Sequence, residues 1–220
     1  MILSITGFMG CGKSSVGRKL SQLLCCRFMD LDEMIEDEAG KSIPEIFAEV
    51  GESGFREMEH RVLDRAVLMP MYSGAPLPQH SCGPLPLRGG TKMPPTYNRH
   101  TALSGQESHC TDNSLVIISL GGGTVMTKEC AEIVRERTLC VYLRASVKTL
   151  AEHLEGEAEG RPMLAGNIHE RITELMAQRG ATYESTAHII IDIDGKSVEE
   201  VALSINDFLQ RQYRGQYPGR

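Results

Sequence analysis

The chain lacks an apolar run of the ~20 residues that a membrane-spanning helix needs, an excess of basic residues, any C-x-x-C pair and any internal repeat. Each absence removes a class of protein. A net charge of −6 argues against a general nucleic-acid or anionic-membrane surface, because those partners select basic patches. An anionic ligand must then be captured locally. No basic residue precedes Lys13, so neither a signal peptide nor a membrane anchor is indicated, and the cytoplasm is the expected compartment. Seven cysteines, an odd set without paired spacing, read as reduced thiols. Cys140 lies in an apolar run and reads as core, whereas Cys11, inside a glycine loop, is expected to be open to alkylation.

What is present begins with ordinary globular composition: 220 residues, 41% hydrophobic and 24% charged, enough for one well-cored domain. Gly7 to Ser14 reads Gly-Phe-Met-Gly-Cys-Gly-Lys-Ser and matches G-x-x-x-x-G-K-[ST], the phosphate-binding P-loop. Its context fits, with a short apolar strand at Ile2 to Ile5 before it and a helix over Ser15 to Leu24 after it. Backbone amides must wrap a triphosphate closely, and Gly7, Gly10 and Gly12 remove the side chains that would hold them away. The helix N-terminus turns its free amides to the anion. Lys13 would bridge the β- and γ-phosphates, and the Ser14 hydroxyl would ligate Mg²⁺.

Arg27 to Asp30 reads as a second strand and Glu33 to Ala39 as a helix. Asp30 and Asp32, on a common side by alternation, fall at the strand's C-terminal end, where open α/β sheets place ligands. Two readings stand. One carboxylate supports the Mg²⁺ water shell while the other accepts a substrate proton, or Asp32 simply caps the helix. Gly54 opens a helix with Phe55, Met58, Val62 and Ala66 in one stripe. Beside that stripe, Arg56 and Glu59 form either a solvated i,i+3 salt bridge or, if the helix lines the crevice, a fork for a substrate carboxylate.

From Met69 to Ser114 seven of the ten prolines accumulate, which prevents continuous helix or ladder pairing and predicts a long surface loop. His80, Cys82, His100, His109 and Cys110 lie there at spacings that fit no regular zinc finger or ribbon, and metal binding is a hypothesis for that loop only. Order returns with the β-branched run Leu115 to Leu120, a strand buried on both faces, ending in Gly121-Gly122-Gly123. That trio reads as a close approach to a ligand or as a strained turn. Further elements follow: a helix at Cys130 to Glu136, a strand at Leu139 to Leu143 and a helix at Val147 to Leu154. The polar Glu155 to Pro162 segment is hinged like a lid, with Arg161 delivering charge to phosphate or offsetting glutamates. Asn167 caps the next helix, which carries Arg171 and Arg179. A strand over His188 to Ile193, a Ser197 to Glu200 capping box and a loose tail from Gln210 complete the chain.

Taken together and in order, the P-loop, Asp30-x-Asp32, Phe55-Arg56-x-x-Glu59, the glycine trio, Arg161-Pro162 and Arg179 resemble shikimate kinase. The resemblance runs from Ile2 to about Leu209. It implies a three-layer α/β/α P-loop kinase fold of the nucleoside-monophosphate-kinase type, with a five-stranded parallel sheet in the order 2-3-1-4-5. One domain over residues 1–209 would be interrupted by 69–114, leaving 210–220 as tail. The implied reaction is ATP-dependent phosphorylation of the 3-hydroxyl of shikimate, with Mg²⁺ as cofactor, in a monomer with no nucleic-acid or membrane partner. By that match Gly10, Cys11, Gly12, Lys13, Ser14, Ser15 and Arg161 bind ATP. Asp32, Arg56, Gly121, Gly122 and Arg179 bind shikimate, the arginines clamping its carboxylate. Lys13, Asp32 and Arg161 act in catalysis, and Asp30 supports magnesium through water. The inserted span and the acidic stretch before Arg161 depart from the family, and Lys196 is a weak match for a nucleotide-contacting basic residue. A P-loop kinase for another hydroxy acid such as gluconate, or a non-catalytic nucleotide-dependent binding module, are the alternatives.

Overall fold

The computed structural model describes residues 1–68, 115–155 and 167–214. The elements are β1 (Ile2–Thr6), α1 (Lys13–Leu24), β2 (Arg27–Asp30), α2 (Leu31–Ala39), α3 (Ile43–Leu68), β3 (Val116–Ser119), α4 (Lys128–Arg137), β4 (Leu139–Arg144), α5 (Val147–Leu154), α6 (Ile168–Thr186), β5 (Ile189–Asp192) and α7 (Val198–Arg214). The strands form one parallel sheet in the order β2-β3-β1-β4-β5, as the resemblance implies. The 69–114 segment and Arg161 lie outside the described residues, and so do the histidines and cysteines of the zinc hypothesis.

Burial explains the order. β1 and β3, the central strands, are buried along their whole length, while the edge strands β2 and β5 are partly exposed. Parallel strands covered by helices on both faces read as continuous apolar runs, and Leu3, Ile5, Ile117, Ile118 and Val141 are wholly buried. Each such side chain contributes roughly 1.5–3 kcal/mol. The sheet core is therefore the main source of stability, and it fixes the strand ends from which the functional loops leave.

Several local expectations need correction. α1 runs from Lys13 to Leu24, beginning where the anion-facing helix N-terminus is expected. α2 begins at Leu31, so Asp32 lies in its first turn, and the cap is Asp30, whose Oδ1 accepts from the Asp32 N–H at 3.1 Å. α3 comprises two helical stretches that meet at a kink, where Gly51 adopts a non-helical φ of 69°, a conformation that favours glycine. Asn167 stands at the N-cap of α6, but its side chain makes no capping hydrogen bond. The capping box at α7 is present: the Ser197 N–H donates to Glu200 Oε2 at 2.8 Å and the Glu200 N–H to Ser197 Oγ at 3.3 Å. That helix continues to Arg214, past the point where the loose tail was expected.

Candidate active site

The ends of β1, β2 and β3 converge because Ile5 and Asp30 both stand in register with Ser119. The P-loop, the aspartate pair and the glycine trio therefore leave the sheet side by side, at the edge where ligands of open α/β sheets bind. Gly10 and Gly12 hold left-handed φ values of 79° and 82°, and a Cβ on Gly7 would lie 2.8 Å from the Leu143 carbonyl oxygen. Lys13, Ser14 and Ser15 form the first turn of α1, whose amides have no intrahelical acceptor. No acidic residue occupies that turn, so its positive end is left for an external anion. The Lys13 ammonium donates to the Phe8 carbonyl at 3.1 Å, within the loop it serves. His153 Nδ1 lies 2.8 Å from the Gly10 carbonyl, joining the end of α5 to the loop.

Cys11 does not fit the expectation of an alkylatable thiol. It is buried, and burial pushes its pKa above the usual thiol value. Its side chain packs inward while its backbone lines the loop. The expected core position of Cys140 holds, since it is wholly buried.

Ser14 Oγ lies 3.3 Å from Ser119 Oγ, and Asp30, buried at the end of β2, stands beside Ser119 in the sheet. These are hard oxygen donors, too few to cage an ion. Among the described residues no group of three His, Cys, Asp or Glu side chains could hold a metal. That donor set suits Mg²⁺, which usually keeps its waters and binds through one or two protein oxygens and substrate phosphates.

The glycine trio decides the acceptor side. None of the three has a positive φ, so the strained-turn reading fails, and what requires glycine is space. A Cβ on Gly121 would lie 2.7 Å from Asp32 Oδ1. One on Gly122 would lie 3.3 Å from the Met9 amide nitrogen, and one on Gly123 2.6 Å from an Arg56 guanidinium nitrogen. Three successive residues thus touch the carboxylate, the P-loop and the arginine, and the donor and acceptor halves of the crevice meet at this strip of bare backbone.

Burial raises the Asp32 pKa to about 6, helped by the neighbouring charges of Asp30 and Glu59 and opposed by Lys13. A carboxylate poised there can take up a proton near neutral pH. The Arg56–Glu59 pair is not the solvated surface bridge that spacing allows. Glu59 is 1% exposed, accepts from Arg56 Nη1 at 2.6 Å and accepts from the Thr124 hydroxyl at 2.6 Å. With Glu52 3.5 Å away as well, the Arg56 fork is held over Gly123. Tyr183, on α6, ties that helix to the same strip: its hydroxyl donates to the Gly122 carbonyl, and Arg179 stands four residues earlier on the same helix face; burial pushes the Tyr183 pKa up and the Arg179 charge opposes it. The fold brings Asp32, Arg56, Gly121, Gly122 and Arg179 to one place. Lys196 instead donates to the Asp192 carbonyl at 2.7 Å.

Ser119, Thr124, Tyr183 and the anchoring role of Glu59 escape sequence reading. Only the position of Ser119 at a strand end and the i,i+3 spacing of Glu59 hinted at them. Gly123→Ala tests the strip: its backbone, φ −112° and ψ −5°, accepts any residue, and the obstructing group is a side-chain end. Stability is expected to stay within about 1 kcal/mol, while the displaced Arg56 fork weakens binding of an acidic acceptor about tenfold. Thermal melts and steady-state kinetics check both, and an unchanged acceptor KM would refute the role of Arg56.

Comparison with known proteins agrees with this geometry. Residues 9–71 and 107–210 match the family model described as shikimate kinase. The shikimate kinase of Dictyoglomus turgidum is 31% identical over 210 residues, covering 94% of this chain and 96% of that protein. That of Geobacter sulfurreducens is 33% identical over 207 residues, covering 94% and 89%. Among solved structures, shikimate kinase from Aquifex aeolicus superposes with a TM-score of 0.68 at 26% identity, covering 98% of this chain and 99% of that one. Shikimate kinase from Acinetobacter baumannii in complex with shikimate has the same fold, with a TM-score of 0.70 at 24% identity and coverage of 96% and 93%.

Proposed function

Since the chain belongs to the shikimate kinase family, we propose that its crevice transfers the γ-phosphoryl group of ATP to the 3-hydroxyl of shikimate. The observation that carries this reading at the level of residues is the glycine strip, whose three successive residues face Asp32, the P-loop backbone and Arg56.

The P-loop amides of Gly10 to Ser15 hold the phosphates, and Lys13 leaves the Phe8 carbonyl to bridge the β- and γ-groups. Ser14, with Asp30 and Ser119 behind it, would hold Mg²⁺, which would supply charge neutralisation at the phosphate oxygens. Arg56 and Arg179 fork the shikimate carboxylate, which fixes the 3-hydroxyl toward the γ-phosphorus. The hydroxyl oxygen bonds to that phosphorus, its proton passes to Asp32, and the bond from the γ-phosphorus to the β,γ-bridging oxygen breaks to release ADP. Arg161 would offset charge on the transferring group.

No helix among the described residues is long and apolar enough to cross a membrane. The acidic net charge supports the reading that neither nucleic acid nor an anionic membrane surface is a partner. The deciding experiment measures ADP release from Mg-ATP with shikimate, with gluconate and with no acceptor. Shikimate-dependent turnover that chelation abolishes and Mg²⁺ restores is expected. Turnover with gluconate alone, or ATP binding without turnover, would overturn the proposal.

A further inference from the structure

Tyr183 stands outside every motif of the sequence and at the junction of three parts of the site. It lies on α6 one turn after Arg179, is wholly buried and stacks on Tyr142 with ring centroids 5.2 Å apart. Tyr142 stands in register with Thr6, the last residue of β1 before the P-loop. The ring is therefore clamped between α6 and the sheet and cannot swing. From that fixed position its hydroxyl donates to the carbonyl of Gly122, 61 residues away. Arg179, four residues before Tyr183 on the same face of α6, lies within reach of that hydroxyl. A phenol oxygen donates one proton and accepts through its lone pairs, so one atom can serve both neighbours.

We propose that Tyr183 is a positioning residue for the acceptor carboxylate, fixing the Arg179 fork relative to the Gly121–Gly123 strip by bonding to both. Its hydroxyl acts through Arg179 and Gly122 and does not touch the reacting atoms. Without it the arginine would keep its charge and lose its orientation, and a half-buried carbonyl would lose its donor. Arg56 has an equivalent anchor in Glu59, so each arginine is held by a buried side chain that touches the glycine strip or its neighbour Thr124. Shikimate, or any acceptor bearing a carboxylate at that point, would meet two oriented forks.

The proposal rests on the shikimate reading, and a double-mutant cycle separates the two. Wild type, Tyr183→Phe, Arg179→Met and the double variant are assayed with shikimate and with Mg-ATP at 10 °C, after circular dichroism has established that each is folded. Tyr183→Phe preserves the ring and its stack. It is expected to raise the shikimate KM about tenfold with the ATP KM changed less than about twofold. In the Arg179→Met background the same change is expected to raise the shikimate KM less than about twofold, the non-additivity of residues acting as a unit. Tyr183→4-aminophenylalanine, which keeps a donor for Gly122 but is a poor acceptor for arginine, serves if the phenylalanine variant does not fold. It is expected to raise the shikimate KM at least threefold. An unchanged shikimate KM, an equal rise in both KM values or full additivity overturns the role of Tyr183. Absence of shikimate turnover in the wild type overturns the underlying reading instead.

Discussion

Asp32→Asn is expected to lower kcat by about 10²–10⁴, the usual contribution of a positioned proton acceptor, while making the protein more stable at neutral pH. The two effects share a cause. Burial and the nearby Asp30 charge hold the Asp32 pKa at about 6 against an ordinary 3.8. The folded chain therefore binds a proton more tightly than the unfolded chain between those values, and stability falls as pH rises through that window. The cost above pH 6 amounts to no more than about 3 kcal/mol. Asparagine removes it, so the variant should unfold at higher denaturant than wild type at pH 7.5 and at nearly the same denaturant below pH 4. In the wild type, kcat/KM for shikimate should fall with a limiting slope of one as pH drops below about 6, because that parameter reports the free enzyme. A variant with wild-type kcat, or one with no pH-dependent gain in stability, would remove Asp32 from its role.

Arg56→Ala should do two kinds of damage that a second substitution separates. The arginine is the ion-pair partner of Glu59, which is 1% exposed. Its removal strands a buried carboxylate and should cost about 3–5 kcal/mol of stability. It also removes one fork of the acceptor clamp and should raise the shikimate KM about 10²-fold or more. In Arg56→Met with Glu59→Gln the stranded charge is gone, and the glutamine amide oxygen can still accept from the Thr124 hydroxyl. Most of the lost stability should return and the loss in shikimate KM should not. Chemical denaturation together with steady-state kinetics reads both quantities. Recovery of the KM in the double variant would mean that Arg56 acts only through folding.

Much of this site was legible in the chain because its parts are local. A P-loop is eight consecutive residues whose glycines answer to the curvature of one loop, and the strand and helix around it follow from apolar run length. The sheet order came with the resemblance and agrees with the gradient of burial from β1 and β3 outward. Misreadings arose where one side chain answers to distant ones. Spacing makes Arg56–Glu59 a surface pair, yet Thr124, 65 positions beyond Glu59, converts it into a buried anchor. Alternation set Asp32 on the strand face of Asp30, but the helix starts at Leu31 and Asp30 turns its carboxylate to cap it. Cys11 sits in a glycine loop, and the packing of that loop buries its thiol.

The sequence by itself determined that the chain carries a P-loop motif at Gly7 to Ser14 between a strand and a helix, that its central strands are buried, and, through the joint order of its motifs, which family it belongs to. These follow from residues acting within a few positions of one another, where backbone geometry and apolar periodicity are the governing physics. Only the tertiary structure decided what a side chain at Gly121, Gly122 or Gly123 would meet, why the Asp32 pKa is raised to about 6, and how Glu59 holds Arg56 over that strip of backbone. Those properties are set by the removal of water and by the approach of groups from β2, α3, α6 and the P-loop, and desolvation and long-range contact leave no periodic mark on a chain.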